Sequence, residues 1–174
     1  MFVLTLLQVA MLLGSALAQF NQTATYLNLT AISARDGESI LECWEVGPII
    51  KSSVPGTSGA SSLFFGETTN ATYTIIPPRF DGGLHTAPAV QLVFFVAGLI
   101  HVSLPNRTDE AWVQGGKYGL IIAADTANIS THGHRTQYPG NEATVALQVP
   151  FASTGLKYGV LHRGACNYEE MAFL

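Results

Sequence analysis

The apolar residues of this chain come in short runs, and that limits what it can fold into. Between residue 19 and the end, no window of about twelve residues carries apolar side chains at a 3.6-residue period. Val, Ile, Leu, Thr, Tyr and Phe cluster instead in brief stretches divided by Gly, Pro, Asn and Ser. Branched and aromatic side chains suit a pleated, half-buried surface, and the dividing residues supply turn angles. The runs predict strands over 25–33, 39–46, 62–65, 71–76, 90–97, 99–104, 119–124, 143–149 and 158–161. Loops are expected over 47–62, 77–83, 105–110, 126–133 and 138–141. Many short strands at close spacing imply an all-β sandwich or barrel with few or no helices. No internal repeat is visible, which argues against a propeller or solenoid. Residues 90–97 are apolar on both faces except for Gln91. Such a strand belongs in the middle of a layered structure, and a buried amide there must be hydrogen-bonded or bind something.

The first 18 residues stand apart from this pattern. They contain no charged side chain, run apolar from Phe2 to Leu13, and end in Gly14-Ser15-Ala16-Leu17-Ala18. The small residues at Ala16 and Ala18 fit signal-peptidase cleavage, and the apolar core is short for a membrane span of about 20 residues. An uncleaved anchor is the alternative. The expected organisation is a signal peptide over 1–18, an N-terminal segment over 19–34 forming an edge strand, and one β-domain over 35–174. With the signal removed, no other segment is long and apolar enough to anchor the chain.

Secretion agrees with two further features. Asn21, Asn28, Asn70, Asn106 and Asn128 each open an N-x-Ser/Thr sequon, which marks candidate glycosylation sites. Cys43 and Cys166 are the two cysteines. In an oxidising compartment they are expected to pair, the alternative being two buried thiols. Charged residues make up 11% of the chain, far below the roughly 25% of typical domains. The net charge of −4 leaves no basic footprint for a nucleic-acid partner.

Histidine carries the chemistry. His85 and Gln91 share parity in an extended chain, as do His132 and His134. Two histidines joined by a third group from a neighbouring strand suit a divalent transition metal. The stretch Gly82-Gly83-Leu84-His85-Thr86-Ala87-Pro88-Ala89-Val90-Gln91, followed by Asp125 and then Gly133-His134-Arg135-Thr136, resembles the cupin superfamily. The likeness is to small secreted fungal cupin-like proteins. It covers about residues 35–166, including Glu42-Cys43-Trp44 and Gly164-Ala165-Cys166. The resemblance implies a jelly-roll β-barrel. Of the usual cupin ligands, His85 matches the first histidine and His134 the last. Ala87 stands in place of the second histidine, and Gln91 in place of the glutamate. The implied site is therefore His85, Gln91 and His134, with His132 as a substitute third imidazole. The implied cofactor is one divalent metal: manganese, iron, zinc or copper. The competing reading is a degenerate pocket in which the same side chains bond to one another or to a ligand.

Other residues have blander readings. Asp125 is a partner for an imidazole or, more simply, a turn residue. His101 sits beyond a glycine that obscures its direction. Arg79 belongs to a turn through Gly82 and Gly83. Trp112 and Tyr118 either pack in the core or rim, or stack on a sugar or aromatic ligand. No G-x-S-x-G motif supports a hydrolase. The expected function is a secreted cupin-like protein with a small-molecule pocket. The alternative is a non-catalytic glycoprotein binding a carbohydrate or another partner at a cell wall or host surface. The resemblance also implies pairing of two copies through sheet edges.

Overall fold

The computed structural model describes residues 26–105, 107–152 and 155–172. The expected signal peptide, Asn21 and Asn106 lie outside these. The described chain is all-β, without an α-helix. Its strands are β1 (Leu27–Arg35), β2 (Glu38–Val46), β3 (Ile50–Lys51), β4 (Ser61–Ser62), β5 (Thr72–Ile76), β6 (Phe80–His85) and β7 (Gln91–Ala97), then β8 (Leu99–Ser103), β9 (Glu110–Gln114), β10 (Leu120–Ala123), β11 (His134–Tyr138), β12 (Thr144–Pro150) and β13 (Tyr158–Arg163).

A seven-stranded sheet has the order β13-β2-β1-β10-β7-β12-β5, and a four-stranded sheet the order β6-β11-β8-β9. A two-stranded ribbon pairs β3 with β4. The two main sheets face each other without closing into a continuous barrel. Between them lies a core that includes Ile32, Leu41, Val93 and Phe95 from the large sheet and Ile100, Val102, Ala111 and Val113 from the small one. A second core, around Leu29, Trp44, Leu92 and Ile122, fills the other face of the large sheet beneath Leu63, Phe65 and Phe151.

The first strand departs from expectation. The sequence places an edge strand within 19–34, but β1 lies inside the large sheet, antiparallel to β2 and parallel to β10. Its composition explains this. Leu27, Leu29 and Ala31 face one core and Ile32 the other, all buried. A strand with apolar side chains on both faces is stable only where layers cover both, and an edge would leave its backbone groups unpaired. The edge position expected for the 19–34 segment is thus replaced by a place inside the seven-stranded sheet. Strand β7 fits the expectation of double burial over Gln91–Phe95 and emerges at Val96.

Four strands have no counterpart among those the sequence predicts, the shortest being β3, two residues inside the loop expected over 47–62. Strand β6 contains Gly82 and Gly83 and is mostly exposed, so it carries no apolar alternation. Strand β11 turns His134 and Thr136 inward, so its buried face is polar. Strand β9 does alternate, with Ala111 and Val113 in and Glu110, Trp112 and Gln114 out.

Cys43 and Cys166 form the disulfide, with Cα atoms 4.7 Å apart and a sequence separation of 123. Hydrogen bonds reinforce this tie between the chain's end and its beginning. Cys166 N donates to Thr30 Oγ1 at 3.0 Å, and Asn28 Nδ2 donates to Glu170 O at 3.1 Å. Both polar side chains of the first described sequon thus hold the C-terminal segment. His162 donates through Nδ1 to Arg163 O and through Nε2 to Glu170 Oε1, each at 2.8 Å. The Arg163 carbonyl, then the Glu170 carboxylate, favour the imidazolium and raise the His162 pKa above 6.5. Burial pushes Glu170 upward, but the Asn167 N–H and His162 outweigh it and leave the carboxyl below 4.5.

Two outcomes are expected. Replacing both cysteines, Cys43→Ala with Cys166→Ala, opens a link across a sequence separation of 123. It should lower the unfolding free energy by about 2–5 kcal/mol in denaturant titrations. The ion pair at Glu170 contributes stability fully below pH 6.5 and loses it as pH rises through the raised His162 pKa; it also fades as pH falls through the lowered Glu170 pKa. A ring-proton NMR titration should place the His162 midpoint above 6.5, and Glu170→Gln should move it down.

Candidate functional site

A cavity of about 80 Å³ opens between the two sheets. His85, Gln91 and His134 all line it, together with Thr136, Tyr138 and Gln148. Backbone register brings the two histidines together. Strands β6 and β11 are antiparallel with His85 directly opposite His134, so the side chains leave the same face. The ring centroids are 4.6 Å apart, with the planes inclined at 54°. His134 is buried, whereas His85 is exposed at the mouth.

Gly133 permits this approach. It adopts φ +70°, and a Cβ there would lie 2.0 Å from the His85 carbonyl oxygen. A residue with a side chain would be strained by its backbone angle and would collide with β6. The same glycine removes His132 from the site. Parity arguments require an extended chain, and the positive φ at Gly133 breaks it. His132 is exposed and does not line the cavity, so the substitute third imidazole is not assembled.

A chain of hydrogen bonds holds His134. Gly133 N donates to Ser130 Oγ at 3.0 Å, and Ser130 Oγ lies 2.7 Å from Ser39 Oγ. Ser39 Oγ donates to Asp125 Oδ2 at 2.6 Å. His134 Nδ1 lies 2.8 Å from the same oxygen. An ionised carboxylate only accepts, so Ser39 must donate to Asp125, and Ser130 must then donate to Ser39. By the same rule His134 carries its proton on Nδ1 when neutral. Asp125 is fully buried and is thus an imidazole partner, not the turn residue its sequence context suggests. One oxygen of this fully buried carboxyl, Oδ1, is left without a hydrogen-bond partner among the described residues, on the side chain that holds His134.

His85 has the same polarity by another route. Its Nδ1 lies 3.0 Å from the Gly83 carbonyl oxygen, which can only accept. Both imidazoles therefore have Nδ1 occupied, and in their neutral forms both keep the Nε2 lone pair. Gln91 is buried, yet its amide makes no hydrogen bond to another described residue, and it borders the cavity. Tyr138 completes the wall. Burial pushes its phenol up to about 12, so it stays a neutral hydroxyl at ordinary pH.

The remaining candidates lie elsewhere. Ala87 is buried on the cavity wall where the cupin pattern has a second imidazole. Tyr118 packs against the disulfide region. His101, Trp112 and Arg79 face outward on the small sheet. Asn70 and Asn128 are exposed, Asn28 is half-buried, and the hydroxyl of Ser130 in the Asn128 sequon belongs to the Asp125 chain. Among the described residues, Cys43, Cys166 and Glu170 are the group of potential metal ligands close enough to share an ion, but their sulfurs are joined in the disulfide. Thr136 and Tyr138 are lining residues that sequence reasoning misses, although both share parity with His134. No family model matches the chain, and neither does any curated protein.

Gly133→Ala should destabilise the protein by more than about 1 kcal/mol, since the substitution is incompatible with the native backbone angle. It should also separate His85 from His134, read as loss of the ring–ring contact in imidazole NMR spectra.

Proposed function

We propose that the protein is a secreted cupin-like binding protein whose interior cavity takes a divalent metal between His85, Gln91 and His134. The observation that carries this reading is the matched pair of imidazoles. Each has Nδ1 fixed by an oxygen, Asp125 in one case and Gly83 in the other, and each borders the cavity with Nε2 unpartnered among the described residues. Protein metal sites use this arrangement, since an outer oxygen on one ring nitrogen orients the other toward the ion and raises its basicity. Gln91 would add a neutral oxygen. The donor set has no carboxylate of its own, but Asp125 supplies a negative charge one hydrogen bond behind His134. Bound there, a metal would provide Lewis acidity at its remaining open positions.

The two-sheet architecture, the His85 to His134 register and the disulfide support the jelly-roll and secreted parts of the reading. The cavity bounds the ligand. Its volume of about 80 Å³ holds a few waters or a ligand of a few heavy atoms. A second reading, a degenerate pocket holding a small polar ligand without metal, is favoured by the replacement of a charged ligand with Gln91.

Elemental analysis separates the two. The secreted protein, purified without chelators or a histidine tag, should carry near-stoichiometric manganese, iron, zinc or copper. The content should fall to background in His85→Ala/His134→Ala. Metal absent from both proteins would overturn the metal site in favour of the degenerate pocket.

A further inference from the structure

The outer face of the small sheet carries a second concavity, of about 300 Å³. It is separate from the interior cavity, with Tyr138 as the wall between them. Side chains from four strands and one turn meet there: Arg79 in the turn before β6, Asp81 on β6, His101 on β8, Trp112 on β9 and Gln137 on β11. Trp112 is 51% exposed, although it is the kind of side chain whose burial stabilises a fold most.

Nothing about this Trp is loose. Its ring stacks on His101 with centroids 4.3 Å apart and planes inclined at 18°. Its Nε1 donates to Glu110 Oε1 at 3.3 Å. His101 is held in turn by Glu110 Oε2 at 2.8 Å and Gln137 Oε1 at 3.3 Å. Gln137 Nε2 donates to Asp81 Oδ2 at 3.4 Å, and Asp81 is clamped by Arg135. Arg79 grips Asn141 through Nε and Nη2, at 3.1 and 2.7 Å. An exposed aromatic plane is thus fixed in a lattice of planar polar groups, so little side-chain entropy remains to be lost on binding.

The chemistry of the lattice selects a ligand. Arg79 and Arg135 balance Asp81 and Glu110, and His101 adds one positive charge only when it is protonated, so the rim holds no cluster of like charge to select an anion or a cation. Capacity for hydrogen bonds nevertheless remains. Glu110 accepts two of roughly four bonds available to a carboxylate, Gln137 keeps one lone pair and one N–H, and Arg79 keeps three of five N–H groups. Donors and acceptors side by side suit hydroxyl groups, each of which does both. An indole face suits the C–H face of a sugar ring. We propose that this concavity is a binding site for a neutral carbohydrate, with Trp112 as the stacking platform, Gln137 and Arg79 as hydroxyl-reading groups on its wall, and Glu110, bonded to Trp112 and His101 beside it, as a third at its edge.

The proposal does not rest on the metal reading, because none of these three reading groups, nor Trp112, lines the interior cavity. The test is isothermal titration calorimetry of the secreted protein with β-1,3-gluco-, cello-, chito-, manno- and xylo-oligosaccharides. At least one should bind, with an affinity insensitive to salt, as expected where no net charge is neutralised. Trp112→Ala should weaken that binding by roughly tenfold or more, as truncating a central aromatic anchor does. Gln137→Ala should weaken it several-fold. Unchanged melting temperatures and metal content in both variants would show that fold and interior cavity are intact. Binding of none of the sugars, or binding that Trp112→Ala leaves unchanged, would overturn the site. So would retention of peptides in their place.

Discussion

A carboxylate with no access to water must find its partners inside the protein, and Asp125 finds them on strands that the chain reaches at very different times. Ser39 comes from β2, Ser130 from the loop before β11, and His134 from β11 itself. The large sheet and the small sheet are thereby joined by polar contacts at the end of the apolar core. The direction of every proton in the chain of hydrogen bonds is set by Asp125 being able only to accept. Removing one partner would strand a buried charge, which costs more than the bond itself contributes. The position of His134, and through the β6–β11 register that of His85, follows from this one buried group.

The sequence shows some of this and hides the rest for identifiable reasons. The all-β class is legible, because the apolar runs are short and divided by turn residues. His85, Gln91 and His134 are legible as a set from their motif, and they line one cavity. His132 misleads because Gly133 breaks the extended geometry on which parity depends. Asp125 resembles a turn residue because an aspartate before a threonine at a strand end usually serves a turn; nothing local distinguishes one that is fully enclosed. Strand β11 escapes because its inward residues are the polar ones that serve the cavity. The concavity around Trp112 has no linear signature. Its residues are spread from Arg79 to Gln137 and are united only by the order of the small sheet.

The two concavities divide the polar chemistry of the small sheet between its faces. Along β11, His134, Thr136 and Tyr138 turn toward the interior while Arg135 and Gln137 turn outward. One strand thus supports a narrow, histidine-lined space on one side and an open, charge-balanced groove on the other. That is the ordinary consequence of the two-residue period of a strand, with polar residues on both sides. It also explains why β11 carries little of the apolar core. The stability of the small sheet rests on β8 and β9, whose Ile100, Val102, Ala111 and Val113 do the packing.

The place of β1 has a consequence for how the molecule comes into being. The hairpin of β1 and β2 is complete once residue 46 has been made, but its other neighbour, β10, begins at Leu120. A ribosome adding about 5–20 residues per second takes seconds to cover that interval. Throughout it, a strand with two apolar faces has half its pairing unmet and both its layers missing. Parallel, long-range pairing of this kind loses loop-closure entropy before its contacts can offset the loss, and so it forms late. Until β10 has been made, β1 therefore lacks its parallel partner and the layers that cover its two faces. A chain truncated before residue 123 would be expected to aggregate and not to fold as a smaller domain.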